Sequence, residues 1–283
     1  MLQKVPNFLT LDVEEWFDAE LPRRRLSEPF DEISSIEKQI DLYIDICNRY
    51  QIRSTCFVVG KLAEKKPHIV KKLHEHGHEI ASHSYGHKLV YSMKPEEFKE
   101  DLHRSVSILE ALTGEKIKGF RAPSWSVTSV IADWFYATLE GENLLYSSSV
   151  FPAKTFLYGM PGANSNIHKA AGSSIIEIPQ QLANLGIIKT GIAGGTYLRL
   201  LPAPVVQAFI RMKNSQGKPV FIYLHPWELL YQKYPVQLSF TENIIQYYGV
   251  KRNAAKIGSI CESFNIQLER MDEFISSFLA QNE

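Results

Sequence analysis

A repeating rhythm constrains this chain more than any other feature. Short apolar runs of four to seven residues alternate with longer stretches of helical periodicity through the first half. A short apolar run bounded by turn residues reads as a buried strand, and apolar residues recurring every three to four positions read as an amphipathic helix. Their alternation predicts βα units around a parallel sheet, hence an α/β fold with a barrel-like layout. Strands are expected at 7–13, 54–59, 79–82, 118–121, 175–178 and 220–224, and helices at 34–50, 61–76, 95–113 and 127–139. The third helix opens with Lys94-Pro95-Glu96-Glu97, where proline and acidic side chains suit a first turn, and Gly77 and Gly114 stand where helices stop. Residues 151–171 are rich in Gly, Pro, Ser and Asn and read as a loop over the barrel. From about 241 to the end, two helical patterns flank an apolar run at 266–270, read as a last strand, so 241–283 is expected to complete one domain spanning 1–283.

Composition removes several classes of function. Lys plus Arg equals Asp plus Glu at 31 each, so no global field gathers nucleic acid or an acidic membrane surface. The run Arg23-Arg24-Arg25 is a local exception that reads as a solvated loop. Cys47, Cys56 and Cys261 show no CxxC pairing and read as reduced core residues. No segment reaches the roughly 18 apolar residues of a membrane span, and the first residues lack a charged leader followed by a long apolar region. A cytoplasmic setting is the expectation.

The residues suited to chemistry gather at expected strand ends, where barrel folds keep their active sites. Asp12-Val13-Glu14-Glu15 follows the first strand. His83 and His87 stand four residues apart after the third, and two imidazoles with one carboxylate make a familiar hydrolytic metal site. Alternation along an extended strand puts Glu14 on the face of Asp12 and turns Glu15 away, although a local turn would reverse this. Arg121 ends the fourth strand within Arg121-Ala122-Pro123-Ser124-Trp125, suited to holding a carboxylate ionised. His225 ends the run Tyr223-Leu224-His225 and is a candidate proton donor. The cluster His74, His76 and His78 reads as structural, because alternate side chains diverge at a helix-to-strand turn.

Taken together, these motifs resemble the NodB-homology polysaccharide deacetylases, carbohydrate esterase family four, in their order along the chain. Thr10-Leu11-Asp12-Val13-Glu14 is similar to the first motif, 77–87 with His83 and His87 to the second, 121–125 to the third, and Tyr223-Leu224-His225-Pro226 to the fifth. A closer resemblance, to the intracellular subfamily of exosortase/PEP-CTERM-linked exopolysaccharide loci, runs through Asp12 to Phe17, Gly194 to Pro202, His225-Pro226-Trp227-Glu228 and Gln246 to Val250. The chain departs from the commonest first motif, where two aspartates are adjacent. The family's fourth motif, an acid that tunes the catalytic histidine, has no counterpart legible in the sequence.

The resemblance implies a distorted (β/α)7 barrel and removal of N-acetyl groups from an amino sugar in a polysaccharide or its precursor. It implies a divalent metal on Glu14, His83 and His87, with zinc favoured by the imidazoles and cobalt, nickel or iron as alternatives. Asp12 would then be the base, Arg121 its anchor and His225 the acid. Ser124, Trp125, Tyr223 and Leu224 would contact substrate, with a backbone N–H of Ser124 or Trp125 facing the oxyanion. Trp16, Trp125 and Trp227 favour a sugar ligand. The competing expectations are hydrolysis of a small amide or ureide, and a non-catalytic carbohydrate-binding relative.

Overall fold

The computed structural model describes residues 5–26, 34–155, 159–185 and 188–281. The elements run β1 Phe8–Val13, α1 Glu20–Arg23, α2 Ile36–Tyr50, β2 Thr55–Val58, α3 Gly60–Lys65, α4 Pro67–Glu75, β3 Glu79–Ser82, α5 Pro95–Thr113, β4 Gly119–Phe120 and α6 Ala132–Gly141. They continue with β5 Tyr146–Ser147, β6 His168–Lys169, β7 Ile176–Glu177, β8 Leu182–Leu185, β9 Ile188–Gly191, α7 Gly195–Leu200, α8 Ala203–Ser215, β10 Phe221–Leu224, α9 Phe240–Tyr247, α10 Val250–Phe264 and α11 Met271–Ala280.

One sheet has the order β10-β1-β2-β3-β4-β5-β7-β6, with every pairing parallel except β6 against β7. Seven parallel strands with one antiparallel edge strand form a curled half-barrel, the distorted (β/α)7 layout expected, left open between β10 and β6. β8 and β9 form a separate hairpin. Among the described residues no helix is long and apolar enough to cross a membrane.

Strand alternation sorts side chains into two cores. Leu9, Leu11 and Val13 of β1 join Cys56 and Val58 of β2 in the layer under the helices. Phe8 and Phe57 face the other way, into an interior filled with Tyr146, Ile176, Phe221 and Met271. Each such fully buried aromatic contributes about 2–3 kcal/mol of hydrophobic stabilisation. Asp12 shares the parity of Phe8, so the pattern that buries the strand also aims its carboxylate inward at the strand's carboxyl end. All three cysteines are buried and free, as read from the sequence.

Several elements differ from expectation. The helix expected at 61–76 is two, because Pro67 has no N–H and disfavours helical geometry at Lys66, which adopts φ −131° and ψ 61°. The helix expected from 127 begins at Ala132. The strand expected at 266–270 is replaced by a 3-10 turn, Asn265–Gln267, and one bridge between Leu268 and Asn7. The two-residue strands β5 and β6, the β8–β9 hairpin and the helices α7 and α8 went unread.

Candidate active site

The turn that carries the two histidines is fixed from every side. After β3, Ser84 and His87 adopt φ of 62° and 51°, a left-handed geometry that costs of order 1–3 kcal/mol per non-glycine residue unless its surroundings enforce it. Asp101 of α5 accepts the N–H groups of Tyr85 and Gly86 at 2.7 and 2.9 Å. The Ser84 hydroxyl accepts the N–H of His87 at 2.9 Å. The first N–H groups of α3, from Gly60 and Lys61, bind the carbonyls of Ser84 and Tyr85 at 2.9 and 3.0 Å.

Held in this way, both imidazoles face Glu14. Its Oε2 lies 2.6 Å from His87 Nε2 and 3.9 Å from His83 Nε2, and the three donor atoms lie within 4.8 Å of one another. His83 Nδ1 is 2.7 Å from the Arg121 carbonyl, which fixes the tautomer that leaves Nε2 as the free donor. Glu15 is turned away: Ser34 Oγ is 2.6 Å and Lys66 Nζ 3.0 Å from its Oε1, so Glu14 is the acid that faces the pair. Burial alone would raise the Glu14 carboxyl, but His87 and then His225 outweigh it and hold it at about 2. Burial pushes His83 down to about 4, whereas in His87 the Glu14 charge overcomes burial and raises the imidazole. Two imidazoles and one ionised carboxylate, all buried, fit a divalent ion, whose binding would displace the His87 proton.

Beside this set runs a chain of charged groups. Arg121 Nη1 donates to Asp12 Oδ1 at 2.6 Å and to Thr10 Oγ1 at 2.9 Å, while its guanidinium carbon lies 4.0 Å over the Phe57 ring. The other Asp12 oxygen lies 4.0 Å from His225 Nε2, which is also 3.7 Å from Glu14 Oε1. On the far side of that ring, Glu228 Oε2 meets both His225 Nδ1 at 3.0 Å and the His225 N–H at 2.9 Å. Arg199 Nε then donates to Glu228 Oε1 at 2.5 Å. Trp227 stacks on the imidazole, with ring centroids 5.0 Å apart. Burial opposes charge on His225, but Glu14, then Glu228 and Asp12, hold it up at about 9.

Glu228 supplies the group that the sequence left unnamed. The signal lay in the spacing His225-Pro226-Trp227-Glu228, because one 3-10 turn returns the fourth residue's carboxylate to the first in the manner of a capping box. Arg199 belongs to the Gly194–Pro202 motif but carried no assigned role in the sequence, being distant from all other site residues.

These groups open on a cavity of about 220 Å³ lined by Asp12, Glu14, His83, His87, Arg121 and His225. Of the residues expected to contact substrate, Ser124, Trp125 and Tyr223 also line it. Leu224 does not: it follows Tyr223 on the strand, points to the opposite face and is buried in the helix-side core. The Trp125 N–H already donates to the Ala122 carbonyl at 3.1 Å, which argues against it as an oxyanion donor. Trp227 lines the cavity, whereas Trp16 is buried and stacks on Tyr234 away from it. His78 is buried and structural, its Nδ1 accepting the Ser54 N–H at 3.1 Å.

A curled parallel sheet with a His/His/Glu donor set at its carboxyl rim defines the class of protein, a NodB-type α/β half-barrel. Residues 19–134 match the family model described as polysaccharide deacetylase, and residues 148–275 match a domain of unknown function, DUF3473. The cavity joins them: His83, His87 and Arg121 come from the first region, Arg199, His225 and Glu228 from the second. A peptidoglycan-N-acetylglucosamine deacetylase of Bacillus cereus is 29% identical over 91 residues, 32% of this chain and 33% of its own length. The chain thus spans about a third of the length of the first curated relatives it matches.

A probable polysaccharide deacetylase from Pseudomonas aeruginosa PAO1 superposes with TM-score 0.64 at 14% identity, over 95% of this chain and 89% of its own. A CE4 family pseudoenzyme from Bacillus anthracis superposes with TM-score 0.54 at 13% identity, over 97% of this chain and 66% of its own. The match to the polysaccharide deacetylase model is confined to residues 19–134, and the superposed structures share the fold of this chain. Because a pseudoenzyme shares the fold, activity must be argued from the site.

Proposed function

We propose that this chain is a metal-dependent deacetylase, a single domain that removes N-acetyl groups from an amino sugar in a polysaccharide or its precursor. One observation carries the reading: Asp12 Oδ2, His225 Nε2 and the Glu14, His83 and His87 donors converge on one cavity. Glu14, His83 and His87 would hold a divalent ion, with zinc favoured by the imidazoles, and when bound it supplies Lewis acidity toward the acetyl carbonyl and toward water.

This chain's own residues manage the protons. Arg121 holds one Asp12 oxygen, so the other is aimed to take a proton from the attacking water. An amide nitrogen cannot leave as an anion, and His225 Nε2–H, on the cavity side, is placed to protonate it. Glu228 keeps the His225 ring turned so that Nε2 faces the cavity. The products are a free amine and acetate. The motif resemblance supports assignment to the exosortase-linked exopolysaccharide subfamily.

Acetate release by Asp12→Asn tests the base. Turnover is expected to fall by roughly a thousandfold, with metal content unchanged. Wild-type turnover in that variant would remove Asp12 from the role.

A further inference from the structure

Beside the catalytic cavity runs a groove of about 840 Å³, and Arg199 lines both. Its wall is α9, where Phe240, Ile244 and the adjoining Tyr248 repeat every four residues and so form one stripe. An amphipathic helix ordinarily turns such a stripe inward. Here it faces out, with Phe240 81% exposed and Ile244, Tyr248, Leu200 and Tyr231 also exposed.

The groove is electrically one-sided. Arg199, Lys251, Arg252 and Lys256 line it, and among the described residues no carboxylate does. Two of these cations are engaged internally: Arg199 binds Glu228, and Lys256 Nζ binds the carbonyls of Leu198, Arg199 and Leu201 at 2.6–2.9 Å. Lys251 and Arg252 remain at the surface, with the Lys251 ammonium 4.7 Å from the Tyr231 ring centroid.

The groove meets the catalytic cavity at Arg199. Ile245 and Gln246, near the end of α9, border the catalytic cavity. Gly249, at φ 78°, brings the start of α10 against Arg199, where a Cβ would lie 2.5 Å from the Arg199 carbonyl oxygen, and Lys251 and Arg252 follow it along the groove. Phe240 lies at the far end of α9, about 10 Å along the axis. Past Arg199 and the end of α9, the groove therefore presents the cations of α10 beside the aliphatic and aromatic stripe of α9. Sugar hydroxyls find few hydrogen-bond partners on Phe240, Ile244 and Leu200, whereas hydrocarbon loses its water there. Exposed cations without a neighbouring acid suit phosphate.

We propose that this groove binds the prenyl diphosphate part of a lipid-linked amino sugar whose N-acetyl group enters the catalytic cavity. The proposal rests on the deacetylase reading and names its substrate class. The test compares two probes: N-acetylglucosamine joined through a diphosphate to a short, water-soluble prenyl chain, and methyl N-acetylglucosaminide. Each is followed by acetate release and by calorimetric binding, using the whole chain loaded with zinc. The prenyl probe should gain about tenfold or more in kcat/KM, chiefly through KM. Phe240→Ser with Ile244→Ser, and separately Lys251→Ala with Arg252→Ala, should remove that advantage and leave the methyl glycoside unchanged.

Equal kcat/KM for the two probes, or an advantage that survives both double variants, would overturn the proposal. So would a dimer dispersed by the Phe240 and Ile244 changes, which would give the face to a second copy. Phe240-dependent sedimentation with phosphatidylglycerol vesicles, without preference for the soluble prenyl probe, would give it to a membrane surface and overturn the proposal equally. The two readings fail separately. Variant-sensitive binding of the prenyl probe without acetate from any sugar upholds the groove and sinks the reaction, and acetate release without prenyl preference does the reverse.

Discussion

The two ends of the barrel bury similar residues to different effect. At the lower end, Glu79 opens β3 and its carboxylate accepts Thr55 Oγ1 at 2.6 Å, the Tyr146 hydroxyl at 2.7 Å and the Asp272 N–H at 3.0 Å. Asp272 is closed in turn by Arg270 Nη2 at 2.6 Å. At the upper end, Asp12 spends one oxygen on Arg121 and points the other toward His225 across 4.0 Å, while His225 and His83 each have one nitrogen tied and the other facing the cavity. Residue type therefore does not separate structural from functional polar groups. What separates them is whether their capacity is met inside the fold or directed onto shared space.

Changes at each end can break that distinction. Beyond the loss expected for Asp12→Asn, the largest effect is again at the upper end, where Glu228→Gln should lower turnover about tenfold to hundredfold as His225 loses an anionic partner. After Glu14, Glu228 is the next support for a His225 held at about 9, and the acid role needs that proton. With His225 as the proposed acid, activity should be lost as pH rises through its pKa, so removing Glu228 should move the alkaline limb to lower pH. A fall in activity with no movement of that limb would make Glu228 merely structural.

Next in size, Glu79→Ala should lower stability by about 1–3 kcal/mol, because Thr55, Tyr146 and the Asp272 N–H lose a buried acceptor. Urea unfolding would show it, and kcat should be unchanged; a matching loss of kcat would erase the distinction between the ends. The smallest effect concerns His78, also at the lower end, which burial lowers from 6.5 to about 4. Below pH 6.5 the unfolded chain takes a proton that the folded imidazole refuses. Stability should therefore fall as pH drops from 6.5 to 4, with His78 contributing part of that fall. His78→Asn should flatten part of that slope, and an unaltered slope would show that His78 is not its source.

Asp12, Glu14, His83, His87, Arg121 and His225 were legible because parallel strands bring their carboxyl ends to one rim, so position along the rhythm was already position in space. Glu228 and Arg199 were not. One depends on a 3-10 turn and the other on a helix that follows the β8–β9 hairpin, and neither carries the strand periodicity that located the rest. β5 and β6 hold two residues each, too few to show alternation. The division at Pro67 was readable in principle, yet the apolar spacing runs through it and concealed it.

The most direct test counts metal per chain and acetate released from N-acetylglucosamine oligomers after chelation and again after reloading with zinc, in the wild type and in His83→Ala. The wild type should hold close to one ion, lose acetate release with it and recover both, while His83→Ala should recover neither. Acetate release that persists in stripped protein, or a full complement of metal with no acetate from any N-acetylated sugar, would contradict the account.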